Sequence, residues 1–167
     1  MRIVSAVLAV VFTLLFLAWG TVRTIAGINF DRGCEGYLKR AADANTVQLA
    51  DRNLAVAVKY LEDNQMTSGY TSVLWRTPDE DVGFWYANLN SSLEELHSVK
   101  PEATQLEKTN VLMKLRETLL DQGQSTTVTA PDGISIYPNN SFYWWWGVLS
   151  SFFAVVFILF AIPWEEL

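Results

Sequence analysis

The sequence predicts a mainly α-helical protein. Two transmembrane helices flank an extramembrane bundle of three long helices, or four if the first of them breaks, with a small β-hairpin. Three observations carry that prediction. Apolar runs close to the roughly 20 residues needed to span a bilayer extend from Ile3 to Val22 and from Phe142 to Trp164. Between them apolar residues recur in steps of three and four, the period of a helix face. Two short alternating stretches then flank Ala130-Pro131-Asp132-Gly133, a sequence suited to a tight turn. Residues 1–22 are thus expected to form an N-terminal anchor, 23–141 a helical domain, 142–164 a second membrane helix and 165–167 a short tail.

The first run has the basic start of a secretory signal, at Arg2, and small residues at Ala18 and Gly20. Its apolar core exceeds the usual signal length of 7–15 residues, and Trp19 interrupts the small-residue cleavage pattern. An uncleaved signal anchor is therefore expected. Ser5, Ala9 and Thr13 lie four apart on it, as do Gly147 and Ser151, and Ser150 and Ala154, on the second run. Small residues at that spacing let helices approach closely. Aromatic residues at helix ends suit membrane interfaces, which assigns that place to Trp19, Tyr143, Trp144, Trp145, Trp146 and Trp164. Neither run contains Asp, Glu, Lys, Arg or His, so the proton relays and ion pathways of transporters have no such groups there.

In the central segment an apolar stripe passes through Phe30, Cys34, Tyr37, Ala41, Ala44, Val47, Ala50, Leu54, Val58 and Leu61. It reads as one long helix ending near Asp63, joined to the anchor by a soft junction at Gly27, Gly33 and Gly36. A break at Asn45-Thr46, where either residue can cap a helix, is the competing reading. Gln65 to Arg76 reads as a loop. Thr77-Pro78-Asp79-Glu80 has the order of a capping box with proline in the first helical turn, so a second helix is expected from there to about Val99. After Lys100-Pro101 a third helix is expected from Glu102 to Gln122, closed by Gly123. It carries two apolar sides, Leu106, Met113 and Leu120 on one, Val111, Leu112, Leu115 and Leu119 on the other, as a helix sandwiched between neighbours would. The alternating stretches near 125–137 predict the hairpin.

Of 12 basic and 18 acidic residues, only Arg2, Glu165 and Glu166 lie outside the central segment, leaving it near −5. That balance argues against nucleic acid, whose phosphates need clustered Lys and Arg. Cys34 is the only cysteine, so no internal disulfide is available. Glu94 and His97 have the Glu-x-x-His spacing of di-iron helices, but His97 is the only histidine and one chain cannot complete such a set. Cys34 with His97 is the sole thiol–imidazole combination, and no Gly-rich phosphate loop or nucleophile turn occurs. No catalytic group, metal or cofactor is expected.

The plan of anchor, helical domain and anchor resembles that of bacterial membrane sensors with an extracytoplasmic helical bundle. Those sensors continue into a cytoplasmic signalling module, whereas three residues follow Trp164 here, so the resemblance is one of architecture. Arg2 ahead of the first run favours a cytoplasmic N-terminus and an extracytoplasmic domain. The expected role is that of a non-enzymatic integral membrane protein, an accessory, assembly or structural subunit that presents its helical domain to other membrane proteins or to itself. The alternative is a ligand-binding or sensory module signalling through a partner. Tyr70, Trp75, Phe84, Trp85 and Tyr86 are the candidate contacts in either case, since interfaces favour large aromatics.

Overall fold

No proline occurs before Pro78, and nothing else in the first 42 residues obliges the chain to leave a helix. In the computed structural model, which describes residues 2–120 and 127–162, it does not leave one. Helix α1 (Arg2–Phe30) passes through a π-helical turn (Asp31–Glu35) into α2 (Gly36–Ala42) as one continuous rod. At 1.5 Å per residue its 41 residues are roughly 60 Å long. The expected soft junction is therefore absent. A helical glycine costs only about 1 kcal/mol, and Gly33 has a use: a Cβ there would lie 2.2 Å from Tyr60 Cε2.

The rod ends at Asp43, and α3 (Val47–Asp63) begins behind Thr46, whose Oγ1 accepts the Leu49 N–H at 3.3 Å. The preferred expectation of an unbroken helix to Asp63 is thus corrected in favour of the break. The stripe was real but continues in phase through the turn, so its two halves fold against each other. Ala41 and Ala50, both buried, keep the backbones close, and Cys34 Sγ lies 4.0 Å from Ala57 O. Periodicity alone cannot register such a reversal.

Helix α4 (Val82–Ser98) starts later than the Thr77 signal implies. Pro78–Glu80 makes one 3₁₀ turn, with Thr77 Oγ1 donating to Glu80 Oε2 at 2.7 Å. Asp81 is the actual cap, accepting the Phe84 N–H at 3.0 Å. The delay has a cause. Thr71 N–H donates to Glu80 O and Val82 N–H to Gly69 O, and this bridge of Tyr70 with Asp81 holds the chain extended there. Helix α5 (Gln105–Leu119) is capped by Thr104 and Glu107 in a complete capping box.

Helices α2 to α5 therefore run up and down as a four-helix bundle, bringing the chain back to where it entered. Leu38, Leu54, Leu61, Val82 and Leu89 are fully buried in its centre, joined by Trp85, Leu115 and Leu119. Helix α5 packs on α2, α3 and α4 with Leu115 and Leu119, but among the described residues it has no neighbour over its second apolar side, where Leu106 and Met113 are exposed and only Leu120 is buried.

The expected hairpin is not formed. Among the described residues there is no strand, and the expected hairpin segment contributes a single isolated bridge, of Leu120 with Val128, where Thr129 N–H donates to Leu119 O at 2.9 Å. Pro131-Asp132-Gly133 does turn, with Gly133 at φ +74°. It delivers a 3₁₀ turn (Ile134–Ile136) that buries Ile134 and Ile136 beside α1. An isolated hairpin is marginal, and burying two isoleucines outweighs it. The Gly123 cap and the start of the first expected strand, at Ser125, lie outside the described residues.

Helix α6 (Asn140–Ala161) returns antiparallel along α1. Phe12 meets Phe153 and Phe157 at 5.1 and 5.7 Å, and the indole of Trp146 donates to Leu15 O at 3.1 Å. Both α6 and the rod carrying α1 are long and apolar enough to cross a membrane. Only 6% and 17% of their most apolar windows is buried within the chain.

Candidate functional site

The loop from Gly69 to Val82 hangs at the neck, where α1 and α6 enter the bundle. Its base is tied by the bridge of Tyr70 with Asp81, and Tyr137 Oη donates to Ser68 O from the opposite segment. Its tip carries Leu74 and Trp75, 58% and 75% exposed. The loop, the 3₁₀ turn after Gly133 and the start of α6 enclose an open cleft of about 360 Å³. Arg23, Thr71, Ser72, Glu80, Asp132 and Asn140 supply its polar lining, and Leu74, Trp75, Ile136 and Trp144 its apolar lining.

Three polar atoms of that lining are buried without a hydrogen-bond partner: Thr71 Oγ1, Ser72 Oγ and Asn140 Oδ1. Thr71 is 3% exposed and Asn140 8%. An unpaired buried polar group costs about 1–3 kcal/mol, and native interiors hold few of them. The Asn140 amide has a fixed sense, since its Nδ2 donates to Gly133 O at 2.9 Å; the unsatisfied atom is an acceptor. The guanidinium of Arg23 stacks over Trp19 at 5.1 Å. No carboxylate pairs with it among the described residues.

The aromatic residues singled out from the sequence do not converge. Trp75 reaches the cleft. Tyr70 and Phe84 face a separate shallow depression, where Arg76 stacks on Tyr70 at 5.0 Å. Trp85 belongs to the core and donates its indole N–H to Thr129 O at 2.6 Å. Tyr86 donates to Glu62 Oε1 at 2.8 Å, an acceptor that raises the phenol above its ordinary pKa. No closed pocket joins Tyr70, Trp75 and Trp85.

Of the residues assigned to helix packing, Ala9, Gly147, Ser150 and Ala154 are buried between α1 and α6, Ser5 and Ser151 are partly covered, and Thr13 is exposed. A Cβ on Gly147 would come 2.7 Å from the Trp19 ring, whose N–H donates to Tyr143 O at 2.7 Å. Trp144 and Trp145 meet edge-on at 4.7 Å, and Trp146 stacks on Tyr143 at 6.2 Å. These aromatics form a band at the neck. Trp164 lies outside the described residues.

Elsewhere the chemistry-bearing side chains are engaged. His97 Nε2 sits 2.7 Å from Asp51 Oδ1 on α3, while Glu94 accepts from Asn90, so the Glu-x-x-His pair does not act together. Cys34 lies in the bundle beyond the apolar run. Burial, with the nearby Glu35 carboxylate, pushes its thiol up to about 12, which removes the thiolate that reactivity needs. No cluster of three or more metal-ligating side chains occurs among the described residues.

Reading the sequence missed the cleft. Neither Arg23, just after the first apolar run, nor Asn140, just before the second, stands in a motif that marks a site. Nothing in spacing joins positions 23, 71, 132 and 140, because the bundle's return to its own entrance creates the site. Comparison with protein-family models, curated proteins and solved structures gave no match.

Proposed function

We propose that this chain is a non-enzymatic integral membrane protein, an accessory or assembly subunit that presents its four-helix domain to partner membrane proteins on the extracytoplasmic side. The observation that carries the reading is the bare outer surface of the α1–α6 pair. A soluble protein buries helices this apolar, whereas here only 6% and 17% of their apolar windows is covered. Roughly half of the 60 Å rod matches the ~30 Å hydrocarbon core, and the remainder is a wall of the bundle. Arg2 at the start of α1, ahead of its apolar run, supports the orientation. The exposed Leu106 and Met113, two turns apart on α5, give the domain an apolar strip for a partner.

Crosslinking in native membranes followed by mass spectrometry tests the proposal, with protease protection of sealed vesicles for the side. A recurrent partner whose crosslinks map to α5 is expected. A monomer free of crosslinked partners, or release of the chain by alkaline carbonate, would refute it. A ligand-binding role has one observation in its favour, the unpaired polar groups of the neck cleft.

A further inference from the structure

We propose that the neck cleft binds the headgroup of a phosphatidylethanolamine-type lipid, a phosphodiester joined to a primary ammonium. The inference rests on the membrane reading above, which places the neck at the bilayer surface. The lining divides into donors and acceptors. Arg23 and the hydroxyls of Thr71 and Ser72 can donate to a phosphate, and charge-assisted bonds from Arg suit one well.

A phosphate alone would leave the rest of the lining unanswered. Glu80 and Asp132 also face the cleft, and their two charges exceed the single charge of Arg23. Asn140 Oδ1 is a further acceptor without a donor. Two carboxylates, of which Glu80 also accepts from Thr77 Oγ1, and one unpaired amide oxygen beside a phosphate site suit the N–H donors and positive charge of a primary ammonium. They match neither a glycerol headgroup, which brings no positive charge, nor a trimethylammonium, which has no donor.

The surroundings point to a lipid rather than a soluble phosphoamine. Leu74 and Trp75 project from the loop tip at the edge of the cleft. Beside it, an apolar groove runs along α1 between Phe16, Leu17, Trp19, Gly20 and Ile25. Gly20 leaves it open, since a Cβ there would meet nothing within 4 Å. Arg23 of the cleft stacks on Trp19 of the groove at 5.1 Å, so a headgroup in one can continue into an acyl chain along the other.

The test uses the full chain. Flotation with phospholipid vesicles comes first; failure to float would overturn the membrane reading and this inference with it. The delipidated protein in mild detergent is then offered phosphatidylethanolamine, phosphatidylglycerol, phosphatidylcholine or soluble glycerophosphoethanolamine. Bound lipid is read by native mass spectrometry. One phosphatidylethanolamine per chain is expected, retained about tenfold over the other lipids, a ratio within reach of one or two charge-assisted bonds. Arg23→Gln should lower retention of every phospholipid, and Asp132→Asn should remove mainly the preference over phosphatidylcholine. Thr71→Val should weaken binding and Thr71→Ser restore it, with circular dichroism checking the fold of each. Equal retention of all headgroups, or unchanged selectivity in Arg23→Gln and Asp132→Asn, would overturn the proposal. Equally tight binding of glycerophosphoethanolamine would reassign the cleft to a soluble ligand.

Discussion

Replacing Gly33 with Ala should destabilise the domain, although the same exchange in an open helix stabilises by about 0.5–1 kcal/mol. The difference lies in Tyr60. An added Cβ would stand 2.2 Å from its Cε2 and 2.5 Å from its Cδ2, far inside van der Waals contact. Swinging the ring aside would break its edge-on contact with buried Phe30 at 6.1 Å. Overpacking of this kind costs about 1–3 kcal/mol. Set against the helix gain, the net loss is centred on about 1 kcal/mol, within a span of roughly 0–2.5 kcal/mol. For a chain of this size that lowers Tm by about 2–4 °C per kcal/mol. Gly27→Ala is the internal control, since a Cβ there meets nothing within 4 Å, and it should raise Tm slightly. Thermal melts followed by circular dichroism in mild detergent compare the two. Adding Tyr60→Ala should abolish the difference, giving a coupling of at least about 1 kcal/mol in a double-mutant cycle. Equal, same-sign shifts for Gly33→Ala and Gly27→Ala would refute the close packing of α3 on the rod.

Three further outcomes are expected. Cys34 should resist maleimide in the folded protein near neutral pH and label at least about a hundredfold faster once denatured; because its folded pKa of about 12 exceeds the ordinary value of 9.0, the unfolded chain ionises first and stability should fall as pH rises across that window. Asp81→Ala should cost about 1 kcal/mol by freeing the Phe84 N–H, read by denaturant titration, whereas Thr77→Ala should cost less because Thr77 does not cap α4. Leu106→Glu with Met113→Lys should leave the stability within about 0.5 kcal/mol of wild type, as surface changes do, while removing partner crosslinks to α5.

Helix periods and end signals were legible wherever the chain's neighbours in sequence are also its neighbours in space. The apolar runs, the face of α3 and the turn at Pro131-Asp132-Gly133 are of that kind. The expectations that failed did so where a long-range contact overrode a local preference. Thr77 has the sequence of a cap, but two backbone bonds with Gly69 and Thr71 hold Asp81 extended after the 3₁₀ turn and pass the role to it. Ile134 to Tyr137 alternates like a strand, but burial beside α1 winds it into a 3₁₀ turn.

The cleft was illegible for the same reason, carried further. With three helices the chain would emerge at the far end of the bundle, and no segment would return to close a space against Arg23. The break at Asp43–Thr46 adds the fourth helix, and that parity brings α6 back beside α1. Only then do the loop after Gly69, the turn before Ile134 and the first residues of α6 share one volume with the end of the first apolar run. A four-residue turn capped by one threonine thus decides whether the neck has a site at all. If Thr46→Ala loosened that turn, the Arg23 and Asn140 ends of the cleft would separate together, because both are positioned by where the rod stops.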